Sequence, residues 1–440
     1  MRRLSGFLRT NGRNTLMKQP EIPSLTGLRF VAAFAILVLH TVTWCVPFND
    51  TRVHRLVASG IGSIGMPLFF VLSGFVIHYN YAGLFRDQPY RIALRQFLAA
   101  RFARIYPLFF FFFLVGAVVD VTAAWTSNEP RAFLSYVIHY LTLTQSWVYT
   151  LVYDRLILNI GFSLSWSLSC EFFFYAAYTA FVFYVLRLKR SSTAIAAILV
   201  FSSAVVAALV LSFLHMDALL EYAQAHVKGY LSVQQNWVNS FHRWFFYFSP
   251  YARVWEFALG CLTAQLFIVM QTRKVSETER AVAAILLWLA LAWLPAFAIT
   301  YRSGVGSQFA DGMLQLLSLS FGDAVPLAII IFCAARYRTW LATALSHRAI
   351  VYLGEISYSI YAVHTWILRP FIRPATNFSA VYAIDAIFRV TLAMAFTIIV
   401  AAGTYALIEQ PCRKFLRTAL IGNDSRASRE PDIGVTAMSK

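Results

Sequence analysis

The chain has 440 residues, of which 59% are hydrophobic, 16% aromatic and only 13% charged. A soluble domain of this length does not need so much apolar surface, so the composition points to a polytopic membrane protein. The formal net charge of +17 is spread over many short connections, which argues against a nucleic-acid-binding face and for basic loops gathered on one side of a bilayer.

At the N-terminus, Arg2, Arg3, Arg9, Arg13 and Lys18 imitate the basic start of a signal peptide. The apolar segment behind them is long, contains Arg29 and His40 and lacks a small-residue cleavage site. It reads as a retained first span, Leu25–Trp44, behind a basic tail over residues 1–20. Arg29 and His40 are eleven residues apart. On a helix that is three turns plus about 20°, so both side chains share a face, roughly 16 Å apart along the axis. An arginine at the bilayer centre costs roughly 2.5–3.5 kcal/mol, so the pair calls for an explanation. His40 can serve as a general base on a hydroxyl and Arg29 as a ligand for an anion. The plainer alternative is an anchoring arginine and a packing histidine.

Nine further segments are long enough to cross: Ile61–Tyr81, Arg104–Thr122, Trp166–Leu186, Ala194–Leu214, Tyr251–Met270, Ala281–Tyr301, Leu314–Ala335, Val351–Ile372 and Val381–Ile408. Phe133–Val152 is also apolar but carries His139, Thr142, Thr144, Gln145 and Ser146. If it crossed, Arg187, Lys189 and Arg190 would fall outside the cell, against the positive-inside rule. It is therefore read as an interfacial or re-entrant helix on the outer side. The expected fold is an all-α, polytopic helical bundle of about ten transmembrane helices plus that extra helix, with both termini cytoplasmic. The inner side then holds 26 of the 37 Lys and Arg residues and the outer side 11. The transmembrane domain covers residues 21–410, and a partly disordered cytoplasmic tail covers 411–440.

Within these spans a few residue sets carry chemistry. Gly65 and Gly74 in the second span suit close helix packing, and Pro67 interrupts the regular ladder. Arg101 and Arg104, at the cytoplasmic start of the third span, share a face and can clamp phosphates, or form an ordinary basic flank. Trp166, Ser167 and Glu171 open the fourth span, with Ser167 and Glu171 on one face. The carboxylate can orient a histidine or hold a substrate hydroxyl, and Trp166 is a belt residue or a platform for a sugar ring. Arg253 and Glu256 have the spacing of a structural ion pair. Ser357, Tyr361 and His364 form a polar stripe in the ninth span. The five cysteines, Cys45, Cys170, Cys261, Cys333 and Cys412, show no metal-binding spacing and read as packing residues.

The ordered set is Arg29 with ten residues before His40, the run Pro67-Leu68-Phe69-Phe70 with Ser73-Gly74-Phe75, Arg101-x-x-Arg104, Trp166-Ser167-Leu168-x-x-Glu171, Ser357-Tyr358-Ser359-Ile360-Tyr361-x-x-His364 and Glu409-Gln410-Pro411. This set resembles the membrane-bound acyltransferase 3 family over about Glu21 to Phe415. The resemblance implies an O-acyltransferase that moves an acyl group, acetyl foremost, from cytoplasmic acyl-CoA to a hydroxyl of a sugar in a surface polysaccharide, a lipopolysaccharide or a glycosylated small molecule. It implies acyl-CoA as co-substrate with no bound cofactor or metal, and a bacterial cytoplasmic (inner) membrane. Arg29, Arg101 and Arg104 would bind acyl-CoA, His40 would be the base with Glu171 assisting, and Trp166, Ser167, Tyr361 and His364 would meet the carbohydrate or lipid-linked glycan. Val363-His364-Thr365-Trp366 departs from the family's usual Leu-Trp-His-Trp-Pro. The expected form is a stand-alone transferase without an appended soluble domain. A covalent acyl-His40 is the mechanistic alternative, and a proton-coupled transporter or flippase of lipid-linked sugars is the alternative function.

Overall fold

Proline at the first helical position and Leu, Ala and Ile at helical spacing start α1, Pro23–Cys45. It is the first of a series of long apolar helices in a computed structural model that describes residues 19–46, 60–127, 130–372 and 380–421. The basic stretch at the N-terminus and most of the C-terminal tail lie outside the described residues. After α1 come α2 (Gly62–Asp87), α3 (Tyr90–Ser127), α4 (Pro130–Leu141), α5 (Trp166–Leu186), α6 (Ser191–Leu214) and α7 (Met216–His226). The second half holds α8 (Pro250–Met270), α9 (Glu277–Ser303), α10 (Gln308–Leu319), α11 (Ala324–Arg336), α12 (Trp340–Leu345), α13 (Arg348–Glu355), α14 (Ser357–Leu368), α15 (Ala380–Thr404) and α16 (Gln410–Ile421). The starts of α8 and α9 are set locally by Ser249 and Ser276, whose side chains accept from Ala252 and Glu279 backbone N–H groups.

Among the described residues, eight helices are long and apolar enough to cross a bilayer, and α10 with α11 forms a further candidate bent by 44°. The chain is a polytopic helical membrane protein. Its outward faces agree with that: Leu199 and Val200 on α6, Ile285, Trp288 and Leu289 on α9, and Ile387 and Phe388 on α15 are exposed, a distribution that suits lipid.

Besides the bent α10–α11 pair, which stands in place of the single expected span Leu314–Ala335, three segments differ in detail from the sequence expectation. The third apolar helix begins at Tyr90, so Arg101 and Arg104 stand inside a continuous helix rather than at its start. Phe133–Val152 is not one helix. A 12-residue α4 gives way to turns and a small hairpin in which Val152 pairs with Arg155. The two hairpin-loop residues, Tyr153 and Asp154, have φ of 52° and 57°, the left-handed pair that a two-residue hairpin loop requires. Val351–Ile372 is broken at Ile356, where α13 ends and α14 begins.

α2 forms the axis of the packing. It lies along α8 and also touches α1, α5 and α11. Gly74 on α2 faces the Phe257 carbonyl, and Gly260 on α8 faces the Val71 carbonyl, so the two backbones meet where a side chain on either glycine would collide with main chain. Lipid supplies no hydrophobic force between helices, and such small-residue contacts replace it. The buried Arg253–Glu256 pair, 2.8 Å apart, lies in the same region. Arg253 is held over the rings of Phe70 and Tyr247, and Glu256 also accepts from the Phe321 backbone. Cys170 and Cys261 bond to the carbonyls of Phe248 and Gly74, as packing residues do.

Candidate active site

α1 passes between α2, α13, α14 and α15, and its polar face meets a different partner at each end. Arg29, near the start of α1, is half-buried, and the charges acting on it are those of Arg104, Glu409, Glu171 and Arg413. Arg104 comes from α3. Glu409 comes from a π-helical turn, Tyr405–Glu409, that joins α15 to α16; π-turns recur at functional positions because they rotate one side chain out of the helical sequence. Arg413 comes from α16, which packs along α3. Arg101, one turn before Arg104, donates to the Tyr81 hydroxyl at 2.7 Å and lies over its ring.

Four guanidinium groups thus gather at one end of α1, and two carboxylates lie nearby. Neither carboxylate neutralises them by contact. Glu171 accepts from the Ser73 hydroxyl at 2.9 Å and Glu409 from the Ser359 hydroxyl at 2.7 Å. Among the described residues, none of Arg29, Arg101, Arg104 and Arg413 forms an ion pair. Unpaired cations inside a membrane bundle are costly, and a polyanion bound among them would offset the cost.

Three turns along α1, His40 meets His364 of α14. Nδ1 of His40 and Nε2 of His364 are 2.9 Å apart, with the rings nearly coplanar at 13°. Trp44, one turn further on α1, stacks against His40 at 5.1 Å between centroids. The break at Ile356 frees α14 from the direction of α13, and α14 packs along α1. His364 is buried while His40 keeps part of its surface open.

The other sequence candidates sit around this axis. Ser167 and Tyr361 bond each other at 2.8 Å, and the Tyr361 hydroxyl lies 2.9 Å from the Leu164 carbonyl. Both are buried and tie α5 to α14 beside His364. Trp166 packs among Phe70, Tyr247 and Phe248 and is also buried. Glu171 has its oxygen on Ser73 rather than on a histidine. The structure therefore brings His364 to His40, and Glu171 to the arginine end. Spacing alone did not reveal the roles of Ser73, Tyr81, Ser359 and Arg413. Glu409 with Arg413 one turn later, at the end of an apolar span, was the sequence signal for the last of these.

The comparisons with known proteins bear on this arrangement. The acyltransferase domain family model, Acyl_transf_3, matches residues 22–406. The chain belongs to this acyltransferase family. Acyltransferase MdmB of Streptomyces mycarofaciens is similar to it, at 28% identity over 404 residues that cover 90% of this chain and 92% of that protein. No solved structure matches the chain. The protein is thus a membrane acyltransferase. The matched region runs from the start of α1 into the π-helical turn before Glu409 and so includes both ends of the polar face.

Proposed function

We propose that this acyltransferase takes an acyl group, acetyl foremost, from cytoplasmic acyl-CoA and passes it to a carbohydrate hydroxyl, with His40 as general base. The observation that carries the reading is the set of four unpaired guanidinium groups at one end of the α1 face that bears His40. CoA is a polyphosphate on a long flexible arm that ends in the thioester. Phosphates held by Arg29, Arg101, Arg104 and Arg413 through charge-assisted bonds would leave the arm free to run along α1, where roughly 16 Å of helix separates Arg29 from His40. The acceptor class rests on the motif resemblance. The acceptor is a sugar of a surface polysaccharide, a lipopolysaccharide or a glycosylated small molecule, and the enzyme works in a bacterial cytoplasmic membrane with acyl-CoA as co-substrate.

In the chemical step, the acceptor oxygen bonds to the thioester carbonyl carbon while its proton passes to His40. Collapse of the tetrahedral species breaks the carbon–sulfur bond, and the thiolate takes the proton from His40 to leave as free CoA. A base so placed contributes typically 10²–10⁴-fold. The test uses full-length protein in nanodiscs with labelled acetyl-CoA and a glycan acceptor. His40→Ala should lower transfer by about that factor while acetyl-CoA still binds. Near-normal transfer by His40→Ala would show that another group is the base.

A further inference from the structure

We infer that His364 is a positioning residue: it fixes the tautomer of His40 and leaves Nε2 of His40 as the basic nitrogen. This rests on the reading of His40 as the base. The observation is a chain of three groups. The Nδ1 of His364 lies 3.2 Å from the carbonyl oxygen of Ile360, one turn earlier on α14. A carbonyl oxygen only accepts, so this nitrogen carries the proton and donates. The other ring nitrogen of neutral His364, Nε2, is then a bare lone pair. It lies 2.9 Å from Nδ1 of His40, which must therefore be protonated and donate. The Nε2 of His40 is left with its lone pair, and no described side chain bonds to it.

The opposite arrangement sets two acceptors face to face. If His40 Nδ1 accepted, His364 Nε2 would hold the proton and its Nδ1 lone pair would point at the Ile360 carbonyl. Leaving such buried groups unsatisfied disfavours that state by an order of magnitude or more in population. A backbone carbonyl on α14 thus sets the protonation pattern of a histidine on α1, and His364 relays it. Which nitrogen of a catalytic histidine carries the proton is set by the bond the other nitrogen makes. Here the partner is a second imidazole. Trp44 stacked on the ring face of His40 restrains the remaining rotation and keeps the basic edge in one direction.

The partner also explains why the two rings differ in exposure. His364 is 1% exposed and its two nitrogens are both engaged. It has no free edge for a substrate, whereas half-buried His40 has one. An acceptor hydroxyl can donate to Nε2 of His40 and then lose its proton to it in the same geometry.

The test combines kinetics with ¹⁵N NMR of histidine-labelled, full-length protein in nanodiscs. In the unmodified protein Nδ1 of His40 should show the shift of a protonated ring nitrogen and Nε2 that of a bare one. The reverse assignment overturns the inference without any variant being needed. His364→Phe keeps a ring but offers no acceptor, and should lower kcat at least about tenfold, with the 10²–10⁴ contribution of the base itself as the ceiling, and leave KM for acetyl-CoA unchanged. Its His40 should shift toward the Nε2-protonated tautomer. His364→Gln, whose amide oxygen can take the place of Nε2, should restore most of kcat and the original tautomer. If His364→Phe keeps full kcat while His40→Ala is inactive, His364 has no positioning role and only this inference fails. If Gln and Phe are equally impaired with the His40 tautomer unmoved, His364 is structural. If His40→Ala itself transfers normally, the reading of His40 as base fails instead.

Discussion

A guanidinium without a carboxylate in contact is the feature that separates Arg29, Arg101, Arg104 and Arg413 from Arg253. Arg253 has a carboxylate at 2.8 Å, is 1% exposed and is sandwiched by aromatic rings. Its charge is satisfied, and its spacing to Glu256 already indicated as much. The four clustered arginines have no such partner, and a ligand phosphate would supply it. Arg104→Ala should therefore raise KM for acetyl-CoA with little change in kcat. Charge-assisted bonds are worth about 1.5–3 kcal/mol, which is roughly ten- to a hundredfold in affinity. Titration calorimetry with CoA reads the same loss directly. A selective loss of acceptor affinity instead would contradict the phosphate assignment. Sequence spacing was enough to put Arg29 and His40 on one face, because both lie on one uninterrupted helix. It could not supply the partner of His40, which comes from 324 residues away, or the serines that hold the two carboxylates. Those contacts depend on how helices meet, and helix periodicity does not report that.

Helices were legible where apolar runs were long and uninterrupted, and less so where the backbone changes direction. α10 and α11 read as one span because the apolar run continues through their 44° bend. α13 and α14 read as one because Glu355-Ile356-Ser357 contains neither glycine nor proline. That second break is what gives α14 its own path beside α1. Pro67 and Pro107, which do look like interruptions, lie inside continuous α2 and α3; neighbouring helices tolerate them. The glycines of the second span were read as packing sites, and Gly74 does meet a main-chain carbonyl of α8, reciprocated by Gly260. Gly260→Val should force α2 and α8 apart and cost at least the ~1–3 kcal/mol of an overpacked core. Thermal unfolding in detergent followed by size exclusion measures it. Gly403→Ala on α15, where a side chain would meet nothing within 4 Å, is the control and should leave the melting temperature unchanged or slightly raised, because Ala is the better helix former. Equal effects at the two positions would mean that the α2–α8 contact is not tight.

At the scale of the whole molecule the number of crossings decides which groups share a side of the membrane. Eight single helices and one bent pair make nine crossings among the described residues, which would put the start of α1 and the end of α15 on opposite sides. Yet Arg29, at the start of α1, and Arg413, just beyond α15, act on each other and on Arg104. They belong to one end of the bundle, and the number of crossings between them must be even. The sequence expectation of ten crossings would need one more, and the broken pair α13 and α14, with 8 and 12 residues, is where it would lie. Charge agrees independently: ten crossings with a cytoplasmic N-terminus leave 26 basic residues inside against 11 outside, the asymmetry that membrane insertion selects. Green fluorescent protein fused at either terminus should therefore fluoresce. A cysteine placed at Lys274 should be shielded from an impermeant thiol reagent in intact cells, and one at Arg302 should react. A dark C-terminal fusion with a bright N-terminal one would mean an odd number of crossings. The shared arginine end, and with it the path of the acyl donor along α1, would then be lost.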